Sequence, residues 1–158
     1  MGNKLINMKL KLLLFIGIAV LYGVFLGGCR TSKDKTDNTI PYQVAEHYFV
    51  KNNVEGLPPT TITSAKEFEK YFGMAAVMGP NGTPTEIDFN KSFVICLTVA
   101  PTDIDTEISV ISLTKTNTDQ LALSYKIERG EKMSYISRPL LLLVVDKKYE
   151  LPVVLDAI

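Results

Sequence analysis

Three stretches of different polarity divide this chain. Leu12 to Leu26 is apolar throughout and free of charge. Arg30 to Thr39 has no apolar side chain at all. From Ile40 onward, short apolar runs recur between turn-forming residues. Tyr42, Val44, Tyr48 and Val50 share one side of a period-two pattern interrupted by Glu46, which predicts a first strand. A helical stripe through Val44, Ala45, Tyr48 and Phe49 also fits, but Tyr, Phe and Val favour the strand. After a loop through Gly56-Leu57-Pro58-Pro59, Ser64-Ala65-Lys66-Glu67 has the spacing of a capping box. Phe68, Tyr71 and Phe72 then form the stripe of a helix of two to three turns, with Gly73 as its expected left-handed stop.

The rest reads as strands. Between Gly73 and Glu86, Gly and Pro argue against regular structure in the second half, and Met74, Val77 and Met78 either tuck into the core or form an exposed adaptable surface. Phe93 to Ala100 is continuously β-rich, so both faces should be covered. In Glu107 to Leu113, Ile108 and Val110 fall on one phase and Ile111 and Leu113 on the other, and a bulge would reconcile them. Leu121, Leu123, Tyr125 and Ile127 alternate cleanly with Ala122, Ser124, Lys126 and Glu128, the pattern of a half-buried strand. Turns are expected at Pro101-Thr102-Asp103, Thr116 to Asp119 and Arg129-Gly130-Glu131. Leu140 to Val145 should be a central strand, and Val153 to Leu155 a short closing one, with Pro152 suiting a strand start or an edge. The pattern predicts a β-rich domain, α+β by content: an antiparallel sandwich or rolled sheet with one short N-terminal helix.

The first two stretches concern export. Lys4, Lys9 and Lys11 precede the apolar run, which closes on Leu26-Gly27-Gly28-Cys29. A basic segment, an apolar segment and a small-residue cleavage site are the plan of a secretory signal peptide. The cysteine after the small pair resembles the bacterial lipobox, which implies that Cys29 carries fatty chains such as palmitate and becomes the new N-terminus. Residues 1–28 are then a signal peptide, 29–39 a lipidated flexible tether and 40–158 a single domain. Arg30 is not the aspartate that resembles an inner-membrane retention signal, so a lipid anchor in the outer membrane is expected, with the domain facing the periplasm or the cell surface.

Charge and chemistry narrow the domain's role by exclusion. Without the leader lysines, 14 basic side chains stand against 17 acidic ones, a formal charge of −3. No basic stripe remains for nucleic acid. Cys96, the only other cysteine, sits in Phe93-Val94-Ile95-Cys96-Leu97 and reads as a small buried hydrophobe. The single histidine, His47, reads as a rim residue. No nucleophile elbow, phosphate loop or Cys-x-x-Cys is present. Asp103, Asp105 and Glu107 could face calcium from one strand, but a solvated hairpin end is preferred. No metal and no cofactor are expected, and no enzymatic role.

Surface loops on a β scaffold suit binding. Two segments stand out as partner contacts: the Met74 to Thr85 loop, with Met74 and Met78, and Ser134 to Pro139, with Tyr135 and Arg138. The Phe68-x-x-x-Phe72 spacing, Asp88-Phe89-x-Lys91-x-Phe93-Val94-Ile95 and the later Pro139 resemble the C-terminal domain of PrcB-type protease-complex stability proteins. Arg138-Pro139 resembles the Arg-Pro loop of chagasin-type inhibitors of cysteine proteases, although Leu140 follows where an aromatic is usual. Their Asn-Pro-Thr-Thr-Gly-Tyr segment has no counterpart, Asn81-Gly82-Thr83-Pro84-Thr85 notwithstanding. Both resemblances imply a non-enzymatic exported β domain that engages a protease or its assembly. A hydrolase or carbohydrate-active enzyme is the alternative, or a small-ligand carrier, which would need a large enclosed pocket.

Overall fold

The computed structural model describes residues 38–79 and 82–158, so the cleavage site, Cys29 and residues 30–37 of the tether lie outside the described residues. The strands among the described residues are β1 (Tyr42–Val44), β2 (Tyr48–Val50), β3 (Thr61–Ile62), β4 (Phe72–Met74), β5 (Ser92–Thr98), β6 (Thr102–Lys115), β7 (Leu121–Ser137), β8 (Leu140–Asp146) and β9 (Val153–Ala157). One helix, α1 (Ala65–Tyr71), lies between β3 and β4. The strands form a four-stranded sheet β1-β8-β5-β3, a ribbon β2-β4 and a three-stranded sheet β6-β7-β9. The β-rich, sandwich-like fold with one helix is as the pattern predicts.

The centre is set by β5 and β8, paired over seven residues from Ser92↔Asp146 to Thr98↔Leu140. Alternate residues of β5 face opposite layers. Phe93, Ile95 and Leu97 pack with Leu113, Leu121, Leu123, Leu143 and Val145 against the three-stranded sheet. Val94 and Cys96 pack with Ile62, Phe68, Phe72 and Leu142 under α1 and the ribbon. The continuous apolar run of β5 therefore reflects burial on both sides, and each fully buried Phe, Leu or Ile contributes roughly 1.5–3 kcal/mol. At the start of the domain, Asn38 and Ile40 already bond β6, through Lys115 N to Asn38 O and Ile40 N to Leu113 O, both 2.8 Å.

The expected bulge is present. Val110 faces Tyr125 and Ser112 faces Ser124, so Ile111 is the extra residue, and it points outward, more than half exposed. Ile108, Val110 and Leu113 thereby all reach the same core.

Four expectations need correction. The first strand is two, because His47 adopts φ 63° and turns the chain between them. β1 joins the central sheet beside β8, and β2 joins the ribbon. A non-glycine residue at positive φ is uncommon, with histidine among the more tolerant. Gly73 is not a left-handed stop either. The helix runs straight into β4, with Phe72 already extended at φ −116°, and Gly73 pairs with Phe49. Arg129-Gly130-Glu131 is no turn but a second irregularity within β7, between Thr106↔Arg129 and Ile104↔Lys132. Finally, β9 runs parallel to β7, from Leu121↔Val153 to Tyr125↔Ala157, so the sheets are not wholly antiparallel.

Candidate protein-binding surface

The β2-β4 ribbon organises the exposed apolar side chains. Opposite faces of β2 carry Tyr48 and Phe49. The ring of Phe49 lies over the backbone of Gly73, where a Cβ would fall 2.5 Å from it. Glycine thus serves close approach here, not a turn. Beyond β4 the loop is fastened at both ends. Ala75 N donates to His47 O at 2.8 Å, and Thr85 and Glu46 bond each other through Thr85 N to Glu46 O and Glu46 N to Thr85 Oγ1. Val77 N donates to Gly82 O at 2.9 Å, and a Cβ on Gly82 would meet the Val77 carbonyl oxygen at 1.9 Å. That geometry holds Met78 wholly in solvent, 104% exposed, with Met74 at 72% and Val77 at 57%. Of the two options for these residues, the exposed surface is the one realised.

A groove of about 320 Å³ lies on the helix side of the ribbon. Its walls include Tyr48, Phe68, Phe89, Met74 and Ile87. Phe68 is the hub of the rings, edge-on to Tyr48 at 5.1 Å and tilted against Phe89 at 5.6 Å. Tyr48 Oη donates to Thr85 O at 2.6 Å, and burial pushes its phenol above the ordinary range. Among the described residues, Glu69 and Glu86 are the only charged ones in the lining. Past Glu86 the groove continues into a polar one bordered by Ser64, Asp88, Asn90 and Lys147.

A second groove, of about 370 Å³, is lined by Phe49, Val50, Asn52, Pro101, Ile136 and Arg138. Arg138 is half-buried here, and its Nη1 donates to Val54 O at 2.9 Å. It therefore ties β8's lead-in to the loop after β2. Tyr135 and Ile136 stand out of β7, 63% and 72% exposed. Among the residues singled out in the sequence, Met74 enters the first groove, Arg138 the second, and Met78 and Tyr135 line neither. Ile136 falls within the Ser134 to Pro139 segment singled out in the sequence, whereas Phe49 as a surface residue and the Phe68–Phe89 groove escaped sequence reasoning. The interruption at Glu46-His47 marks where β1 ends and β2 begins, but it does not say that β2 leaves the sheet to form a ribbon.

The candidates for chemistry lie apart. Cys96 is buried among Val94, Ile62 and Leu142, and burial pushes its thiol from 9.0 up to about 12. His47 holds the corner before β2, where its carbonyl accepts from Ala75 N. Asp103, Asp105 and Glu107 lie along β6 rather than beside a hairpin turn, and Asp103 meets Lys132 Nζ at 3.1 Å. Among the described residues no three metal-ligating side chains gather into a cluster, and no helix is long and apolar enough to cross a membrane. No family model matches this chain, and no curated protein or solved structure matches it either.

Proposed function

We propose that this protein is an exported lipoprotein, anchored in the outer membrane through Cys29, whose β domain binds another exported protein without catalysing a reaction on it. One observation carries the binding role: large apolar side chains stand in solvent on both sides of a ribbon that the core holds in place. Met74, Val77, Met78 and Phe49 are exposed on and beside that ribbon, with Tyr135 and Ile136 on β7. Exposed apolar groups grouped beside grooves are the usual mark of a contact surface. A protease or protease assembly is the partner class to which the resemblances in Phe68 to Val145 and at Arg138-Pro139 point. The buried, neutral Cys96 thiol supports a non-catalytic role, since the thiolate is the nucleophile.

Capture from envelope extracts tests this reading. The mature protein should retain a specific exported partner, released by excess untagged protein. Capture of nothing that competes, together with turnover of a substrate that depends on Cys96 or His47, would replace the reading with an enzymatic one.

A further inference from the structure

The groove between α1 and the ribbon combines two properties that specify its occupant. Its walls are aromatic and aliphatic: Tyr48, Phe68, Phe89, Ile87, Met74 and Pro84. Among the described residues, the charged ones in its lining are two glutamates, Glu69 and Glu86, both exposed, and no basic residue contributes. Among the described residues neither carboxylate belongs to a salt bridge. Lys51 Nζ donates to the backbone carbonyl of Glu69, not to its carboxylate. Lys66 and Lys70 share the helix with Glu69 but are not part of the groove lining, and among the described residues they form no ion pair. Aromatic faces and carboxylates attract the same kind of group, a cation on an apolar stem.

We propose that this groove takes a lysine or arginine side chain from an extended segment of the partner protein. Its stem lies on Phe68, Phe89 and Tyr48, and its cationic head meets Glu69 and Glu86 at the rim. The inference rests on the protein-binding reading above and names the partner's chemistry. A volume of about 320 Å³ accommodates one long side chain with room to spare, at the low end for ligand sites. The polar groove beyond Glu86, which shares Ala65, Glu86, Ile87 and Phe89 with the first, gives the flanking backbone a path. That continuity favours a peptide segment over an isolated small cation.

The test uses the mature lipoprotein in neutral detergent, labelled with fluorophenylalanine, and the capped peptides acetyl-Ala-Lys-Ala-amide, its norleucine isostere and its glutamate analogue. The lysine peptide should shift the fluorine resonances of Phe68 and Phe89. It should bind about fivefold or more tightly than the norleucine peptide, and the preference should shrink in high salt. Glu69→Gln with Glu86→Gln should erase that preference while leaving the spectrum of the free protein folded. Equal binding of lysine and norleucine peptides, or a lysine preference that survives in the double variant, would overturn the inference. Partner capture separates the two readings. Loss of capture in the double Gln variant supports the cation groove. Capture kept there but lost on changing Met74 and Met78 to Ser overturns the cation groove and leaves protein binding standing. A wild-type protein that captures nothing overturns the protein-binding reading itself.

Discussion

Cys96 and Arg138 illustrate how single side chains set the terms for any experiment on this protein. Burial holds the Cys96 thiol neutral to about pH 12, whereas in the unfolded chain it loses its proton near 9.0. Between those values the unfolded state releases a proton that the folded state keeps, so stability falls as pH rises. The slope from this group is about 1.4 kcal/mol per pH unit, and stability from it is intact below pH 9. Urea titrations of wild type and Cys96→Ala should therefore converge from pH 9 upward. Parallel curves would mean that the thiol ionises in place. Arg138 was expected to act at a contact surface, yet its bond to Val54 O is internal. Arg138→Ala leaves that carbonyl unpartnered and should cost about 1–2 kcal/mol by denaturant titration. A variant as stable as wild type would show that water replaces the guanidinium without loss.

At the scale of elements, the β6 bulge makes the sharpest claim. Ile111 is the inserted residue, so deleting it leaves Val110↔Tyr125 and Ser112↔Ser124 as neighbours in a regular ladder. All inward residues stay inward. The deletion should change stability by less than about 1 kcal/mol. Deleting Ser109 instead shifts everything before it by one residue and turns Ile108 away from the core, at about 2 kcal/mol or more. Thermal melts of the two deletions should differ by many degrees, and similar melts would refute the register. This bulge could be read in the sequence because apolar phase on either side of it conflicts. The ends of elements were harder to read. Gly73 has the composition of a helix stop, but the need it meets is the ring of Phe49, a contact made 24 positions earlier in the chain. Gly130 suggests a turn, yet pairing with β6 carries β7 through it. Local composition names the glycine; only tertiary pairing names its purpose.

For the whole molecule, the layers were legible and the surface was not. The unbroken apolar run at Phe93 to Leu97 required cover on both faces, and the alternation of Leu121 to Ile127 required it on one. The candidate site depends instead on the chain leaving one sheet at His47 to build a ribbon, which no short-range pattern dictates. Met74 and Met78 could be singled out as adaptable apolar residues, but their exposure follows from the fastened loop around them. The proposed lipid anchor belongs to this scale too. Cells grown with radiolabelled palmitate should label the wild-type protein, and Cys29→Ala should abolish the label and leave an uncleaved or mislocalised precursor. Unchanged labelling would overturn the reading of Leu26-Gly27-Gly28-Cys29.

The central claim is that this domain acts through exposed side chains and not through its buried thiol. Binding of the captured partner by wild type, by Met74→Ser with Met78→Ser, and by Cys96→Ser tests it most directly. The methionine variant should melt as wild type does and bind about thirtyfold more weakly, the equivalent of about 2 kcal/mol. Cys96→Ser should melt earlier, because an unpartnered hydroxyl is buried, at roughly 1–3 kcal/mol. In the fraction that folds it should bind with wild-type affinity. Full binding by the methionine variant, or loss of binding confined to folded Cys96→Ser, would contradict the account.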